Sequence, residues 1–222
     1  MCILQLLATH NRAGEITFKQ IGPLTLEVTV TTYTKTSSID ADRDELTVVW
    51  GDGFQDTVAR DSEVFLPNDT KRNSYTQVHT YPALGRYTIS MLDPNRNANI
   101  LNVNPPNSVI VPFFLQPSFT FTNTQFQGPN TSPVLLQPPI DFGCVGQIFR
   151  HNPNAFDPDG DSLAYELIVP LQSEDNEVPN YSYPDEIVPQ GNEIRLDEET
   201  GDFVWIVPQR RGEYNIAILI KE

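Results

Sequence analysis

The stretch Leu24-Thr-Leu-Glu-Val-Thr-Val-Thr-Thr-Tyr33 decides the fold, because its apolar residues alternate with threonine or glutamate. Successive side chains of a β-strand point to opposite faces of a sheet, so this alternation predicts a strand with one buried face. Leu46-Thr-Val-Val-Trp50 predicts a second strand, and the Gly51-Asp-Gly53 tripeptide after it predicts a tight turn. We therefore expect a chain of short strands joined by turns.

The same signals recur along both halves of the chain, and they predict an all-β protein. Nineteen prolines among 222 residues disfavour long helices, and no segment predicts a helix longer than a turn or two. The further predicted strands cover residues 55–58, 75–81, 85–92, 108–112, 146–150, 162–170, 192–196, 202–207 and 212–220. About seven short strands per unit are typical of an immunoglobulin-like β-sandwich, and two such units in tandem are expected.

The length of 222 residues exceeds the usual size of one domain, about 100–150 residues, and predicts two. Residues 9–113 form the first expected sandwich and residues 114–222 the second, with an exposed acidic loop at 172–190. The apolar start, residues 1–8, predicts either the tail of a truncated secretory signal or simply a first strand. Because the chain stops directly after an apolar strand, we expect it to be a piece of a longer polypeptide.

The charge of the chain is acidic and uneven. The net charge is −15, and residues 117–222 hold seventeen Asp and Glu against five Lys and Arg. Nucleic acid is excluded as a partner, because phosphate binding needs clustered basic residues. No apolar run reaches the roughly 20 residues of a membrane-spanning helix, so no membrane span is expected.

Cysteine chemistry plays no part in the expected function. Cys2 lies in the apolar start, so Cys144 is the one thiol in the body of the chain. Neither a disulfide framework nor a zinc site is expected from two cysteines at this spacing. Cys144 is predicted to be a buried thiol.

Three linked motifs in the first half resemble the PKD family of extracellular β-sandwiches. They are Trp50-Gly-Asp-Gly53, His79-Thr-Tyr81 and Gly85-Arg-Tyr-Thr-Ile89. The spacer after the tryptophan is shorter than the family's, and the insert before the histidine is longer. The resemblance implies that Trp50 and Tyr87 fill the core of the sandwich.

The second half resembles the cadherin-like, dystroglycan-type immunoglobulin-like domains of bacterial surface proteins. The resemblance is carried by Asn154-Ala-Phe-Asp-Pro-Asp-Gly-Asp-Ser-Leu-Ala-Tyr165 and by Leu196-Asp-Glu-Glu-Thr-Gly-Asp-Phe-Val-Trp205. The tandem arrangement is similar to that of large secreted or cell-surface proteins of gliding-type Bacteroidetes. This likeness implies an extracellular location, secreted or on the outer cell surface.

Three carboxylates within five residues, those of Asp157, Asp159 and Asp161, are the candidate metal ligands. They repel one another unless a cation lies between them, and hard oxygen ligands suit Ca²⁺. Glu166, Asp197 and Asp202 are candidates for additional ligands. The predicted site includes Asp197 and Asp202 as weaker candidates. The alternative is an ordinary turn in which the Asp residues accept backbone N–H groups. For Asp52 and Asp56, beside the first-half turn, turn capping is the favoured role.

Catalysis is not expected from this sequence. The three histidines, His10, His79 and His151, form no HExxH motif, and neither a GxSxG motif nor a phosphate-binding glycine loop is present. The aromatic residues best placed for a sugar ligand are Tyr181 and Tyr183 in the acidic loop, with packing against the sandwich as the alternative.

Two functions follow from these expectations. The first is a non-catalytic structural and adhesion module of a larger bacterial surface protein, stiffened by Ca²⁺. The alternative is a carbohydrate-binding accessory module of a secreted polysaccharide-degrading enzyme. In either case the expected partners are other domains of the same chain and a cell-surface glycan or protein ligand.

Overall fold

The computed structural model describes residues 11–38, 42–94, 96–122, 128–188 and 191–222. Their regular structure consists of antiparallel strands and two single-turn 3₁₀ helices, at Ser108–Ile110 and Pro184–Glu186, which confirms the all-β prediction. Across these ranges, no helix has the length and apolar character needed to span a membrane. The predicted leader, residues 1–8, lies outside the described residues, as do Cys2 and His10.

The described part of residues 11–122, here called the first half, contains ten strands. In chain order they are β1 (Asn11–Gly22), β2 (Thr25–Lys35), β3 (Glu45–Val49), β4 (Gln55–Ala59), β5 (Ser62–Leu66), β6 (Thr70–Thr80), β7 (Gly85–Thr88), β8 (Ser90–Asp93), β9 (Phe113–Leu115) and β10 (Ser118–Phe121). One sheet has the order β1-β2-β6-β5 and a second has the order β4-β3-β8-β9, while β7 and β10 form a separate pair. These strands are antiparallel throughout.

The alternation in Leu24–Tyr33 places three of its apolar residues in the core between the two sheets. Leu26, Val28 and Val30 are each 1 % exposed, while Glu27, Thr29 and Tyr33 lie on the opposite face of the sheet. Leu26, Val28 and Val30 pack in one cluster with Trp50, which is fully buried, and Tyr87 packs against this cluster from its edge. Burial of these large side chains is the main stabilising contribution to the first half.

The strands of the first half continue past residue 113, where the sequence predicted its end. β9 pairs with β8, and β10 pairs with β7. Phe119 and Phe121 of β10 join the aromatic core of the first half. The apolar alternation of residues 118–121 thus serves the first half rather than opening the second.

Residues 128–222, here called the second half, form several smaller antiparallel sheets. Their strands are β11 (Val134–Leu135), β12 (Phe149–His151), β13 (Ala155–Phe156), β14 (Ala164–Ile168), β15 (Leu171–Ser173), β16 (Asn176–Glu177), β17 (Glu193–Leu196), β18 (Phe203–Ile206) and β19 (Ala217–Lys221). They pair as β12-β18-β17, β11-β13, β14-β19 and β15-β16. Tyr165, Phe203 and Trp205 are the buried aromatic residues of this half.

The prediction of a buried Cys144 is wrong. Its side chain is exposed, within a strand-free stretch, residues 141–148, in which every residue is exposed. Period-two alternation is missing there, so no sheet face draws the thiol inward.

Candidate functional site

The loop Asp157–Asp161 is built around the carboxylate of its first residue. Oδ1 of Asp157 accepts the backbone N–H groups of Asp159, Gly160 and Asp161 at 2.8, 2.9 and 3.1 Å. Gly160 has a φ of +88°, a conformation that glycine adopts without strain. These hydrogen bonds form the ordinary Asp turn that the sequence analysis gave as the alternative to a metal-binding loop.

The second oxygen of Asp157 has an unusual environment. The residue is 5 % exposed, and its Oδ2 is buried without a hydrogen-bond donor among the described residues. The carboxyl group of Glu222 lies beside it. Burial, a side-chain hydrogen bond with Asp157 and the charges of Asp157 and Asp161 raise the pKa of Glu222, so a protonated Glu222 is the one donor available to this oxygen among the described residues. Two carboxylates at such close range need either a shared proton or a cation between them.

The three aspartates of the loop are not brought to a common point. Asp159 is exposed and its Oδ2 accepts the backbone N–H of Thr131 at 2.6 Å, while Asp161 is exposed at the end of the loop. Over the described ranges, no group of three or more His, Cys, Asp and Glu side chains is arranged to hold a metal ion. Oδ2 of Asp157 and the carboxyl group of Glu222 are the two neighbouring groups that suit a cation here.

The additional acidic residues considered from sequence each have a partner of their own. Asp197 caps the β17–β18 turn through its Oδ1, which accepts the N–H groups of Glu199 and Thr200. Asp202 accepts a hydrogen bond from the amide of Asn152 at 2.7 Å. Glu166 forms an ion pair with Lys221 across the β14–β19 pair.

Tyr181 lies at the junction of the two halves, here called the seam. Its ring packs against an apolar cluster made of Ile100, Val103 and Val111 from the first half and Val178 from the second. Its hydroxyl donates to the carbonyl oxygen of Asn215 at 3.1 Å, and burial raises its pKa.

Tyr183 contacts Tyr181 edge-on, with ring centroids 5.4 Å apart. Both tyrosines are partly buried, and the acidic loop that carries them holds the β15–β16 hairpin. The structure therefore places Tyr181 and Tyr183 in the packing position that the sequence offered as the alternative to sugar binding.

A buried arginine crosses the seam. Arg96 is 2 % exposed, and its guanidinium donates to the carbonyl oxygens of Pro112 and Leu171 at 3.0 and 2.7 Å. A third donor of the same group reaches Oδ1 of Asn215 at 2.8 Å. Burial lowers the pKa of Arg96 to about 10, so the side chain stays charged at pH 7.

A buried asparagine makes the same connection a second time. The side-chain amide of Asn102, which is fully buried, donates to the carbonyl oxygens of Asn215 and Ser182 at 2.7 and 3.1 Å. Its Oδ1 accepts the backbone N–H of Asn215 at 2.9 Å. Glu213 adds a charged contact near the rim, because it pairs with Lys35 at 2.8 Å.

The Gly51–Gly53 turn of the first half forms a compact polar group around Trp50. Asp52 caps the turn by accepting the N–H of Phe54, as expected, and its other oxygen lies 2.8 Å from Nε2 of His79. Asp56 instead accepts the indole N–H of Trp50 at 2.8 Å. The imidazole of His79 stacks on the indole at 4.5 Å, so both acids support the core.

Sequence reasoning missed Arg96, Asn102 and Glu222. Single polar residues outside any motif give no signal of burial, since their partners lie up to 119 residues away. The cluster of Asn residues at positions 95–107 was the one available indication, because polar residues dense in a region without strands can satisfy backbone groups of another segment.

No family model, curated protein or solved structure matches this chain in the three comparisons with known proteins.

Proposed function

We propose that this chain is a non-catalytic structural and adhesion module of a larger extracellular protein, made of two immunoglobulin-like β-sandwich units. The two four-stranded sheets around one aromatic core in the first half support this proposal. The order of the PKD-like motifs in the first half and the cadherin-like motifs in the second adds to it. A fold of this kind hosts many functions, and the contacts across the seam are what distinguish a structural module here.

The observation that carries the proposal is the buried polar contact across the seam. A spacer must hold its units at a set angle, because a freely hinged chain transmits force and position poorly. Arg96 and Asn102 each bind the second half through buried hydrogen bonds, and these bonds are made only while the halves keep one relative position. A shift that broke the bonds but kept the groups buried would cost about 1–3 kcal/mol for each unpaired group, and more for a charge.

The two tryptophans allow a direct test of this rigid coupling. Trp50 lies in the core of the first half and Trp205 in that of the second, and the chain has no other tryptophan. The variants Trp50→Phe and Trp205→Phe each leave a fluorescent probe in one half. We expect fluorescence and far-ultraviolet circular dichroism to report the same urea midpoint in each variant. Separate midpoints for the two signals would show independent halves and contradict the proposal.

The location proposed for the module is the cell exterior, secreted or at the outer surface. Residues 117–222 hold seventeen acidic and five basic residues, which suits a highly solvated surface that attracts cations. Its partners are then other domains of the same protein and a glycan or protein ligand. Protease treatment of intact producing cells should remove the module, and its full protection would contradict a surface location.

Calcium is the proposed stabilising ion, bound between Asp157 and Glu222. When Glu222 is ionised, the buried Oδ2 of Asp157 has no donor, and a cation there would offset both the burial and the repulsion that raise the pKa of Glu222. Asp161 adds negative charge at the same place. Asp159 is assigned a turn role, since it binds the backbone of Thr131.

The ion is tested by thermal melting of the intact chain at pH 7 in millimolar CaCl₂ and in EDTA. We expect Ca²⁺ to raise the Tm by several degrees, since 100-fold excess over the Kd contributes about 2.7 kcal/mol. The variant Glu222→Gln should lose that rise, and its Tm in EDTA should equal or exceed that of the wild type, because the unfavourable charge is gone. Asp197→Asn is the matched control, because Asp197 also caps a turn but lies outside the proposed site. An unchanged Tm in the wild-type protein, or a retained rise in Glu222→Gln, would remove calcium from the proposal.

A further inference from the structure

The outer face of the β1-β2-β6-β5 sheet carries a polar cavity of about 300 Å³. Its floor consists of side chains that point away from the aromatic core, and its wall is β11 of the second half. The residues that matter for recognition are Glu15, Thr31, Tyr33, Arg72, Ser74 and Leu135. This face was predicted only as the polar side of an amphipathic strand.

The register of the sheet sets the floor of the cavity. Glu15, Thr31 and Ser74 lie opposite one another on β1, β2 and β6, so they form one row across three strands. Tyr33 and Arg72 are paired in the next row. Directly opposed side chains on one face have Cβ atoms about 4.5–5.5 Å apart. The row therefore presents a carboxyl and two hydroxyls at near-regular intervals, with a guanidinium beside them.

The second half closes the cavity on one side. Segment 130–132 pairs with the free edge of β1 through hydrogen bonds such as Gln20 N–H to Asn130 O and Ser132 N–H to Phe18 O, both 2.9 Å long. This pairing carries Val134 and Leu135 over the sheet. The cavity exists because the two halves are held together.

Glu15 supplies the carboxyl group of this cavity, and its side chain is partly buried. Burial raises its pKa to about 7, although the backbone N–H of Leu135 and the charge of Arg72 act in the opposite direction. Burial likewise raises the pKa of Tyr33, and the charge of Glu15 adds to that effect. Because it is partly buried, the carboxyl group of Glu15 gains from a hydrogen bond with a ligand that displaces water from the cavity.

The mixed charge of the cavity selects for a neutral ligand. A carboxyl group disfavours an anion and a guanidinium disfavours a cation, whereas a neutral polyol can donate to Glu15 and accept from Arg72. The hydroxyls of Thr31 and Ser74 can do both. Val134 and Leu135 supply the apolar surface that the C–H face of a sugar ring contacts.

We propose that this cavity binds a neutral pyranose residue of a glycan. Its volume lies at the lower end of the range for small-molecule sites, which is suited to one sugar ring of a longer chain. The inference deepens the adhesive part of the proposed function by naming the ligand class, and it is independent of calcium binding. The proposed sugar site therefore lies on a sheet face, and not in the loop that carries Tyr181 and Tyr183.

The test is saturation-transfer difference NMR on the intact chain, with neutral hexasaccharides of glucose, xylose and mannose as probes. Uronic acid oligomers of equal length form the second arm. We expect binding of at least one neutral probe with a Kd in the micromolar to millimolar range, and weaker or no binding of the uronates. Binding restricted to the uronates, or no binding at all, would overturn the proposal.

Variants assign any binding to the cavity. Glu15→Gln and Arg72→Met should each weaken it at least 10-fold. Glu27→Gln should leave it unchanged, because Glu27 is an exposed acid on β2 outside the cavity lining. A melting curve of each variant checks that the fold is intact. Unchanged affinity in both cavity variants would place the sugar elsewhere, and the tests of the seam and of calcium would stand unaffected.

Discussion

The guanidinium of Arg96 donates to Oδ1 of Asn215 at 2.8 Å, although 119 residues separate the two in the chain. The same guanidinium binds the carbonyl oxygens of Pro112 and Leu171, so one buried charge is shared between the two halves. A charge held in this way cannot be solvated without opening the seam. The relative position of the halves is therefore coupled to their stability.

Replacing Arg96 by methionine should destabilise the protein by at least about 1–3 kcal/mol, because the neutral oxygen atoms that the guanidinium binds stay buried without a donor. The same change should separate the unfolding midpoints of the two halves. Urea denaturation in the single-tryptophan backgrounds measures both effects. Arg195→Met is the control, since the side chain of Arg195 is 66 % exposed and pairs with Glu193 on the surface. The control should cost at most about 1 kcal/mol, and an equal loss in both variants would deny the seam a special role.

The two glycines of the turn after Trp50 should respond differently to substitution by alanine. A Cβ at Gly51 would lie 2.3 Å from the carbonyl oxygen of Thr88, and the φ of Gly51 is +81°. Gly53 has a φ of +95° but nothing within 4 Å of its Cβ position. Gly53→Ala should therefore cost only the backbone strain, about 1–2 kcal/mol, and Gly51→Ala at least about 2 kcal/mol more. Urea midpoints compare the two, and equal losses would show that the turn can move away from Thr88.

Glu15 should make stability fall as the pH rises from about 4.5 to about 7. Its pKa is 4.5 in its ordinary state and about 7 in the folded protein, so the folded state binds more protons within that window. Glu15→Gln removes the ionisation. We expect its Tm to exceed that of the wild type by about 4–8 °C at pH 8, from about 2 kcal/mol after allowance for partial solvent exposure. At pH 4 the two should melt together, and Glu27→Gln should show no such pH-dependent gain. A Tm difference that did not change with pH would refute this view of Glu15.

The thiol of Cys144 should react rapidly with a disulfide reagent in the native protein, because the residue is exposed. A Cys2→Ser background isolates it. Absorbance of the released thiolate at neutral pH gives the rate, which should change less than about 10-fold on denaturation. A thiol that reacted only after unfolding would contradict the exposed position.

Much of the first half was predictable from local pattern. The alternation of Leu24–Tyr33 determines which face is buried, because a strand has a period of two and one register alone buries its apolar residues. The turn at Gly51 was predictable for the same local reason, since only glycine adopts its backbone conformation freely. The pattern failed at Cys144, in a stretch without alternation.

The candidate sites were predictable only in part. The turn of Asp157 follows from local spacing, because its three amide donors come from the next four residues. Its neighbour Glu222 follows from the pairing of β19 with β14, which no local pattern specifies. The cavity at Glu15 likewise depends on segment 130–132 crossing to the edge of β1.

By itself, then, the sequence determined the all-β class, the inward faces of the strands and the turns between them, since these depend on side-chain period and backbone conformation within a few residues. The tertiary structure alone decided that β9 and β10 complete the first half, that Arg96 is buried, and that Tyr181 faces the seam. Those outcomes depend on which distant segments meet. Many pairings satisfy the same local pattern, and only the packed chain selects one in which buried polar groups find partners.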